Sequence, residues 1–279
     1  MSKLLLNSIP KSGTHLVSKL LTLLGLVPVT DRYLNSAAER RPRDVRFLAD
    51  GAIETQDSEV PMAGTACGIN SQAAYERFME TTFRGADLPY FIQGHHLWSA
   101  ASSTYMAAND IRLVVVLRDP RAVALSHINW ILGPNAGHPL HSLYRDLPMR
   151  ERFHHEFRGV PADSEHPHHR HLPMLPRYRN MARWGEANRV CFLGFEQIVG
   201  APGGGDPALQ QRTIERLAAF IGVDTPDIPT IQQALWGGTA TFHSGRIDAW
   251  QEFAADFPTE LTADVDEILG IINRCLDTP

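Results

Sequence analysis

The sequence predicts an α/β domain in which a central, mainly parallel sheet is flanked by helices. Two observations carry that expectation. Short, unbroken apolar runs, with Val114, Val115 and Val116 in one block inside Ile111 to Leu117, suit strands covered on both faces, as parallel sheets require. These runs alternate with stretches of helical periodicity, the pattern of strand–helix–strand units. No repeat or clear linker interrupts the chain, so residues 1–279 are expected to form one domain, and that length is ample for a sizeable core.

The elements follow in order. Leu4 to Ser8 is a short apolar run before Pro10 and reads as a buried strand. Ser12 to Leu24 places Leu16, Leu20, Leu23 and Leu24 at helical spacing, and Gly25 suits the helix end. Residues 28–70 show no period and carry Arg40, Arg41, Arg43 and Arg46, so they are expected to be irregular and to line an acceptor site. Ser71 to Arg84 reads as a helix with Ser71 as its cap. Tyr90 to Gly94 and Ile111 to Leu117 are strands, and Arg121 to Leu132 is a helix.

The His- and Pro-rich stretch 133–176 is expected to be an acceptor-side insertion, a lid or mobile segment, because loops of this length inside domains usually serve function. Arg177 to Ala187 is a helix, Val190 to Gly194 a strand, Thr213 to Ile221 an amphipathic helix and Asp264 to Cys275 a terminal helix. Gly203-Gly204-Gly205 reads as a flexible turn, and Trp236, Trp250 and Phe253 as core or loop anchors.

Composition removes some functions. A formal net charge of −5 is unlike that of a protein that coats nucleic acid, so any anion site must be local. Cys67, Cys191 and Cys275 are far apart and odd in number, which gives neither a disulfide framework nor zinc spacing and fits a reduced compartment. The opening run from Met1 to Asn7 is too short for a signal peptide, and no stretch reaches about 18 uninterrupted apolar residues. The expectation is a soluble, cytoplasmic protein without a transmembrane segment.

The sharpest motif is Pro10-Lys11-Ser12-Gly13-Thr14-His15, between a strand and a helix. A helix N-terminus offers unbonded N–H groups and a partial positive charge, which together bind phosphate or sulfate. Gly13 permits close backbone approach, Ser12 and Thr14 add hydroxyls, and Lys11 supplies a mobile charge. Taken alone, the turn also fits a Ser-capped helix with a solvated lysine. The Gly-x4-Gly-Lys-Ser/Thr spacing of a Walker loop is missing, which disfavours an ATP- or GTP-hydrolysing enzyme.

A second candidate anion site is Arg118-Asp119-Pro120-Arg121-Ala122-Val123-Ala124-Leu125-Ser126. Arg118 ends a strand, and Ser126 follows about two helical turns on, so a guanidinium and a hydroxyl can share one phosphate. A surface arginine beside Asp-Pro turn chemistry is the plainer alternative.

The two motifs in this order resemble the PAPS-dependent sulfotransferases, a P-loop-type family of three-layer α/β domains. PAPS is 3′-phosphoadenosine 5′-phosphosulfate. The resemblance implies that Lys11, Ser12, Gly13 and Thr14, with His15 beside them, form a 5′-phosphosulfate loop. It implies that Arg118 and Ser126 hold the 3′-phosphate. Pro89-Tyr90-Phe91-Ile92-Gln93-Gly94-His95 is similar to the strand carrying the family's catalytic histidine. Trp184 to Ala187 and Val190 to Glu196 are similar to its late helix and strand, where Tyr-Glu-Asp is usual. Thr241 to Arg246, with Trp250, resembles its C-terminal Arg-Lys-Gly loop, so Gly245 and Arg246 become cofactor-binding candidates. Leu16 stands where animal cytosolic members carry an adenine-packing Trp, and His243-Ser244 replaces the Arg-Lys pair.

Sulfuryl transfer asks for in-line positioning and for stabilisation of charge growing on the leaving group. Lys11 is the expected stabiliser, and His95 the expected base, because an imidazole titrates near working pH. His96 is the rival, and neighbours on a strand point to opposite sides. No carboxylate cluster pairs with the anion loop, so no metal is expected in the reaction. The His166-Pro167-His168-His169-Arg170-His171 tract, near His154 and His155, reads as a solvated or acceptor-facing segment rather than a metal tract. Tyr144, Phe153 and Phe157 could face an acceptor or simply pack. The expected acceptor is a small-molecule, lipid or carbohydrate hydroxyl or amine. The competing readings are a P-loop kinase-like enzyme, which needs a magnesium carboxylate, and a sulfotransferase-like binder without turnover.

Overall fold

Five parallel strands form the sheet around which the chain is organised: β1 Lys3–Ser8, β2 Val27–Asn35, β5 Tyr90–His95, β6 Ile111–Leu117 and β7 Val190–Gly194, in the order β2-β5-β1-β6-β7. The computed structural model describes residues 3–35, 45–47, 53–55, 90–160, 171–186, 189–224, 226–237 and 245–277. A separate antiparallel pair joins β3 Val45–Phe47 to β4 Ile53–Thr55.

Alternation along the central strands explains the layers. Leu5, Leu113, Val115 and Leu117 enter one apolar cluster, while Leu4, Leu6, Val114 and Val116 enter the other. Helix α1 (Thr14–Leu23) covers the second face with Leu16, Val17, Leu20 and Leu21. On the first face, α2 (Ala100–Ala108) and α3 (Pro120–Leu132) lie early in the chain. They are followed by α4 (His141–Asp146), α5 (Met149–Arg158) and α6 (Met174–Ala182). A four-residue helix, α7 (Phe195–Ile198), follows β7. Then α8 (Pro207–Ile221) and α9 (Ile228–Leu235) return to the second face, and α10 (Thr262–Leu276) packs on the first. The expected three-layer α/β domain with a central parallel sheet is what the chain forms.

Register aligns the carboxyl ends. Asn7 pairs with both Gly94 and Val115, Ser8 with Val116, and Leu117 with Gly194. Ser8, His95, Arg118 and Phe195 therefore emerge along one edge of the sheet, where parallel α/β sheets bind ligands.

Three parts depart from the sequence reading. Val27–Asn35, expected mostly irregular, is an edge strand with a register shift between Pro28 and Tyr33. Pro28 and the charged pair Asp31 and Arg32 hide it from a hydrophobic pattern, yet an edge tolerates them. Ala100–Ala108 is too rich in small residues to show a period, but Ser99 and Ser102 form a reciprocal capping box that starts it. The 133–160 part of the insertion is not a structureless loop: it folds into α4 and α5, with Tyr144, Phe153 and Phe157 fully buried. Those three rings pack into the core rather than facing an acceptor.

The helix expected over 71–84, the Arg40, Arg41 and Arg43 cluster and His166 to Arg170 lie outside the described residues, as does Cys67. Among the described residues, no helix is long and apolar enough to cross a membrane.

Candidate anion and proton-transfer site

The turn after β1 leaves a helix end open. Gly13 is the N-cap of α1 with φ 113°, and no side chain caps it. By contrast α2, α3, α8 and α9 carry side-chain caps from Ser99, Asp119, Asp206 and Asp227. The Ser-capped alternative is thus not what forms. The Ser12 hydroxyl turns inward, to the carbonyls of Ile9 at 2.5 Å and Val116 at 3.1 Å, and Ser12 is wholly buried. Ser12 braces the turn against β6 instead of offering its hydroxyl outward.

Lys11 holds φ 71°, a left-handed conformation that costs a side-chain-bearing residue about 1–2 kcal/mol. Its ammonium lies 5.1 Å from the centre of the Trp130 ring. Burial, helped by the charge of Arg118, lowers its pKa to about 8. The next residue after Thr14, His15, is half-buried, and its pKa is lowered by burial and then by Lys11.

Arg118 is fixed from several directions. Its guanidinium donates to the carbonyl oxygens of Lys11 and Arg246, both at 3.2 Å, and lies 4.0 Å over the Phe195 ring. Its own carbonyl accepts from the Tyr178 hydroxyl at 2.6 Å. Burial pulls its pKa down, and Glu196 leads the groups that oppose this. The Nε of Arg118 is buried with no hydrogen-bond partner among the described residues, an orphaned donor at a charged group. Ser126 is half-buried in the second turn of α3, on the same strand–helix unit.

The C-terminal loop reaches the same place by a route the sequence did not suggest. Gly245 has φ 63°, and the Arg246 carbonyl, not its side chain, meets Arg118. The Arg246 guanidinium is taken by Asp248 at 3.1 Å and Glu252 at 2.9 Å. Gly203 makes this docking possible: an added Cβ would lie 2.7 Å from the Gly245 oxygen and 2.3 Å from Val199. The Ile247 N–H donates to the Gly203 carbonyl at 3.0 Å. The glycine stretch is therefore a fitted turn, not a flexible one. Thr241 to Ser244 lie outside the described residues.

The two histidines at the end of β5 part company. His95 Nδ1 is 2.9 Å from the Ser8 carbonyl oxygen and 3.2 Å from Ser8 Oγ. A carbonyl only accepts, so Nδ1 carries the proton and Nε2 is the ring's acceptor. Ser8 Oγ in turn lies 2.5 Å from Thr14 Oγ1 at the start of α1. His96 is fully buried against Trp184, with ring centres 5.9 Å apart. Its backbone is clamped by Asn7, which accepts from the His96 N–H at 2.7 Å and donates to its oxygen at 2.8 Å. Burial lowers the His96 pKa to about 3, so it stays neutral.

Ser8, Trp130, Tyr178, Phe195 and Gly203 were not singled out from sequence as site residues. Trp130 follows Ser126 by one helical turn, and Phe195 directly follows β7, so both signals were present.

An open helix end, a fixed guanidinium and an acceptor nitrogen lie along one sheet edge of this α/β protein, an arrangement able to hold an oxyanion. The particular family follows from comparison. The sulfotransferase domain family matches residues 1–232, and the chain belongs to it. Solved structures share the fold. One is mouse sulfotransferase SULT7A1 complexed with PAP, at 14% identity and TM-score 0.51, covering 98% of this chain and 85% of that one. Another is retinol dehydratase with retinol and PAP, at 14% identity and TM-score 0.53, covering 99% and 82%. A third is retinol dehydratase with androsterone and the inactive cofactor PAP, at 15% identity and TM-score 0.51, with the same 99% and 82% coverage. No curated protein sequence matches this chain.

Proposed function

We propose that this protein transfers a sulfuryl group from PAPS to a hydroxyl or amine of a small-molecule, lipid or carbohydrate acceptor. The observation that carries the reading is the hydrogen-bonded line from Thr14 through Ser8 to His95, which couples the anion turn to a proton acceptor.

The residues fit such a co-substrate. The uncapped start of α1 suits the 5′-phosphosulfate, and the orphaned Nε of Arg118 suits a phosphate oxygen, with Ser126 on the adjoining helix. PAPS supplies an activated sulfuryl group whose bridging oxygen departs with the 5′-phosphate. Lys11 neutralises charge as it grows on that oxygen, with the helix N-terminus beside it. His95 Nε2 takes the acceptor's proton, and the Ser8 carbonyl steadies the imidazolium through Nδ1–H. Ser8 Oγ–H donates to Thr14 Oγ1 when His95 donates to Ser8, so Thr14 can turn its own proton toward the sulfate.

Asp119 is engaged by Arg121, whose Nη2 lies 2.6 Å from it, and Glu196 accepts from the Asp119 N–H at 2.9 Å. Both carboxylates have structural roles, which favours this reading over a magnesium-dependent kinase. A cytoplasmic setting fits the buried, unpaired thiols of Cys191 and Cys275.

The test is a panel of hydroxyl and amine acceptors incubated with labelled PAPS, beside calorimetry with adenosine 3′,5′-bisphosphate. Labelled product supports the reading. Nucleotide binding with no transfer to any acceptor leaves only a binder, and magnesium-dependent ATP turnover overturns the proposal.

A further inference from the structure

Beside Trp130, within one helical turn of it on α3, lies a cluster that the transfer reaction does not use. His127 of α3, Glu156 of α5 and His171, which pairs with Val160 in an isolated bridge, bring one ligand atom each within 4.8 Å of one another. We propose that these three side chains bind a transition-metal dication of the zinc type, tying α5 and His171 to α3.

The donor set points to that class of ion. Two imidazoles and one carboxylate match borderline cations such as Zn²⁺ or Co²⁺, whereas Mg²⁺ and Ca²⁺ prefer oxygen ligands. His127 Nδ1 lies 2.8 and 3.0 Å from the two Glu156 oxygens, and His171 Nε2 lies 3.2 Å from Oε2. Ligands on a tetrahedral zinc at about 2.0–2.1 Å sit about 3.3 Å apart, so small side-chain shifts admit the ion.

Two features speak against a plain hydrogen-bonded cluster. His171 Nε2 is buried 3.2 Å from Glu156 Oε2 as an ion-pair contact, without the alignment of a well-directed hydrogen bond. Glu156 is almost completely buried, and among the described residues the charges that act on it are the two imidazoles.

The surroundings supply what ligands need. Tyr144 donates its hydroxyl to Glu156 Oε1 at 2.8 Å, orienting the carboxylate as an outer-shell partner. His138 sits edge-on to His127 with ring centres 5.5 Å apart, but its Nδ1 accepts from the Leu140 N–H at 3.2 Å. That bond puts the His138 proton on Nε2 and keeps this ring out of the ligand set. Three protein ligands leave a fourth position for water. Trp130 stacks on His127 and also lies beneath Lys11, so the ion would brace the wall of the anion site without entering it.

The experiment is a Co²⁺ titration of the chelator-stripped wild-type protein, followed by visible absorption. One equivalent giving the intense bands of a tetrahedral site, displaced by Zn²⁺, is expected. Tyr144→Phe should weaken binding about ten- to hundredfold, and His171→Ala should abolish the bands. Glu156→Gln should do the same, and if it does not fold, the wild-type and His171→Ala titrations decide. Absence of tetrahedral bands in the wild type overturns the proposal, as do bands that survive in His171→Ala. The readout is independent of sulfuryl transfer, so its failure leaves the proposed reaction untouched.

Discussion

The guanidinium of Arg118 donates to the main-chain carbonyl of Lys11 at 3.2 Å, joining the end of β6 to the turn after β1. One side chain thus shapes the first anion motif while standing in the second. Its other terminal nitrogen holds the Arg246 carbonyl at the same distance, so three separated segments meet on one planar group.

Arg118→Lys keeps a positive charge but cannot span both carbonyls and still offer a donor to a ligand. Loss of charge-assisted hydrogen bonds, at about 1.5–3 kcal/mol, should weaken adenosine 3′,5′-bisphosphate about ten- to hundredfold by calorimetry. In steady-state assays the KM for PAPS should rise more than kcat falls. Native affinity in Arg118→Lys would remove this residue from the nucleotide site.

Gly13→Ala tests the packing under the turn. An added Cβ would stand 2.7 Å from Phe195 Cδ2 at a φ of 113°, so both backbone and ring must shift. Phe195 carries the Arg118 guanidinium on its face, which passes the disturbance to the second motif. The variant should lose about 2 kcal/mol in chemical denaturation and bind nucleotide more weakly. A melting point equal to that of the wild type would show that the turn has slack.

The sheet was legible because its central strands are buried on both faces and read as apolar runs, as in Leu113 to Leu117 and Val190–Gly194. Elements held by other means were not. Val27–Asn35 gains from edge pairing, Ala100–Ala108 from a serine cap, and α4 and α5 from burying aromatic residues that polar neighbours separate in sequence. The site divides in the same way. Lys11, Gly13, Thr14, His95 and Arg118 fall on one sheet edge, where their motifs lead. The inward turn of Ser12 and the diversion of Arg246 to Asp248 and Glu252 depend on partners far away or on competing carboxylates, which spacing does not encode.

Lys11 sets an alkaline limit. Its pKa of about 8 reflects burial first and Arg118 second, so in the free protein the ammonium is present below that pH and lost above it. A bound anion favours the charged form, and binding above pH 8 must therefore take up a proton. Affinity for adenosine 3′,5′-bisphosphate should be level at neutral pH and fall as pH rises through about 8, by up to about tenfold per unit. Calorimetry in buffers of different ionisation enthalpy reads the proton directly. Lys11→Ala should bind weakly with a flat profile; a wild-type profile flat to pH 9.5 would place the lysine away from the anion.

His95 and His96 give the decisive pair. His95 holds its tautomer through the Ser8 carbonyl and presents Nε2, while His96 is packed on Trp184 with its pKa near 3. His95→Ala should cost about 10²–10⁴ in kcat with little change in melting temperature or nucleotide affinity, the signature of a lost general base. His96→Ala empties part of the core and should lose about 2 kcal/mol of stability, while the folded fraction keeps its turnover. His95→Gln sharpens the test, because its side-chain amide can still donate to Ser8 but offers no basic nitrogen. Turnover retained in His95→Gln would reduce the histidine to a positioning role, and turnover lost only in His96→Ala would transfer the proton to the other ring.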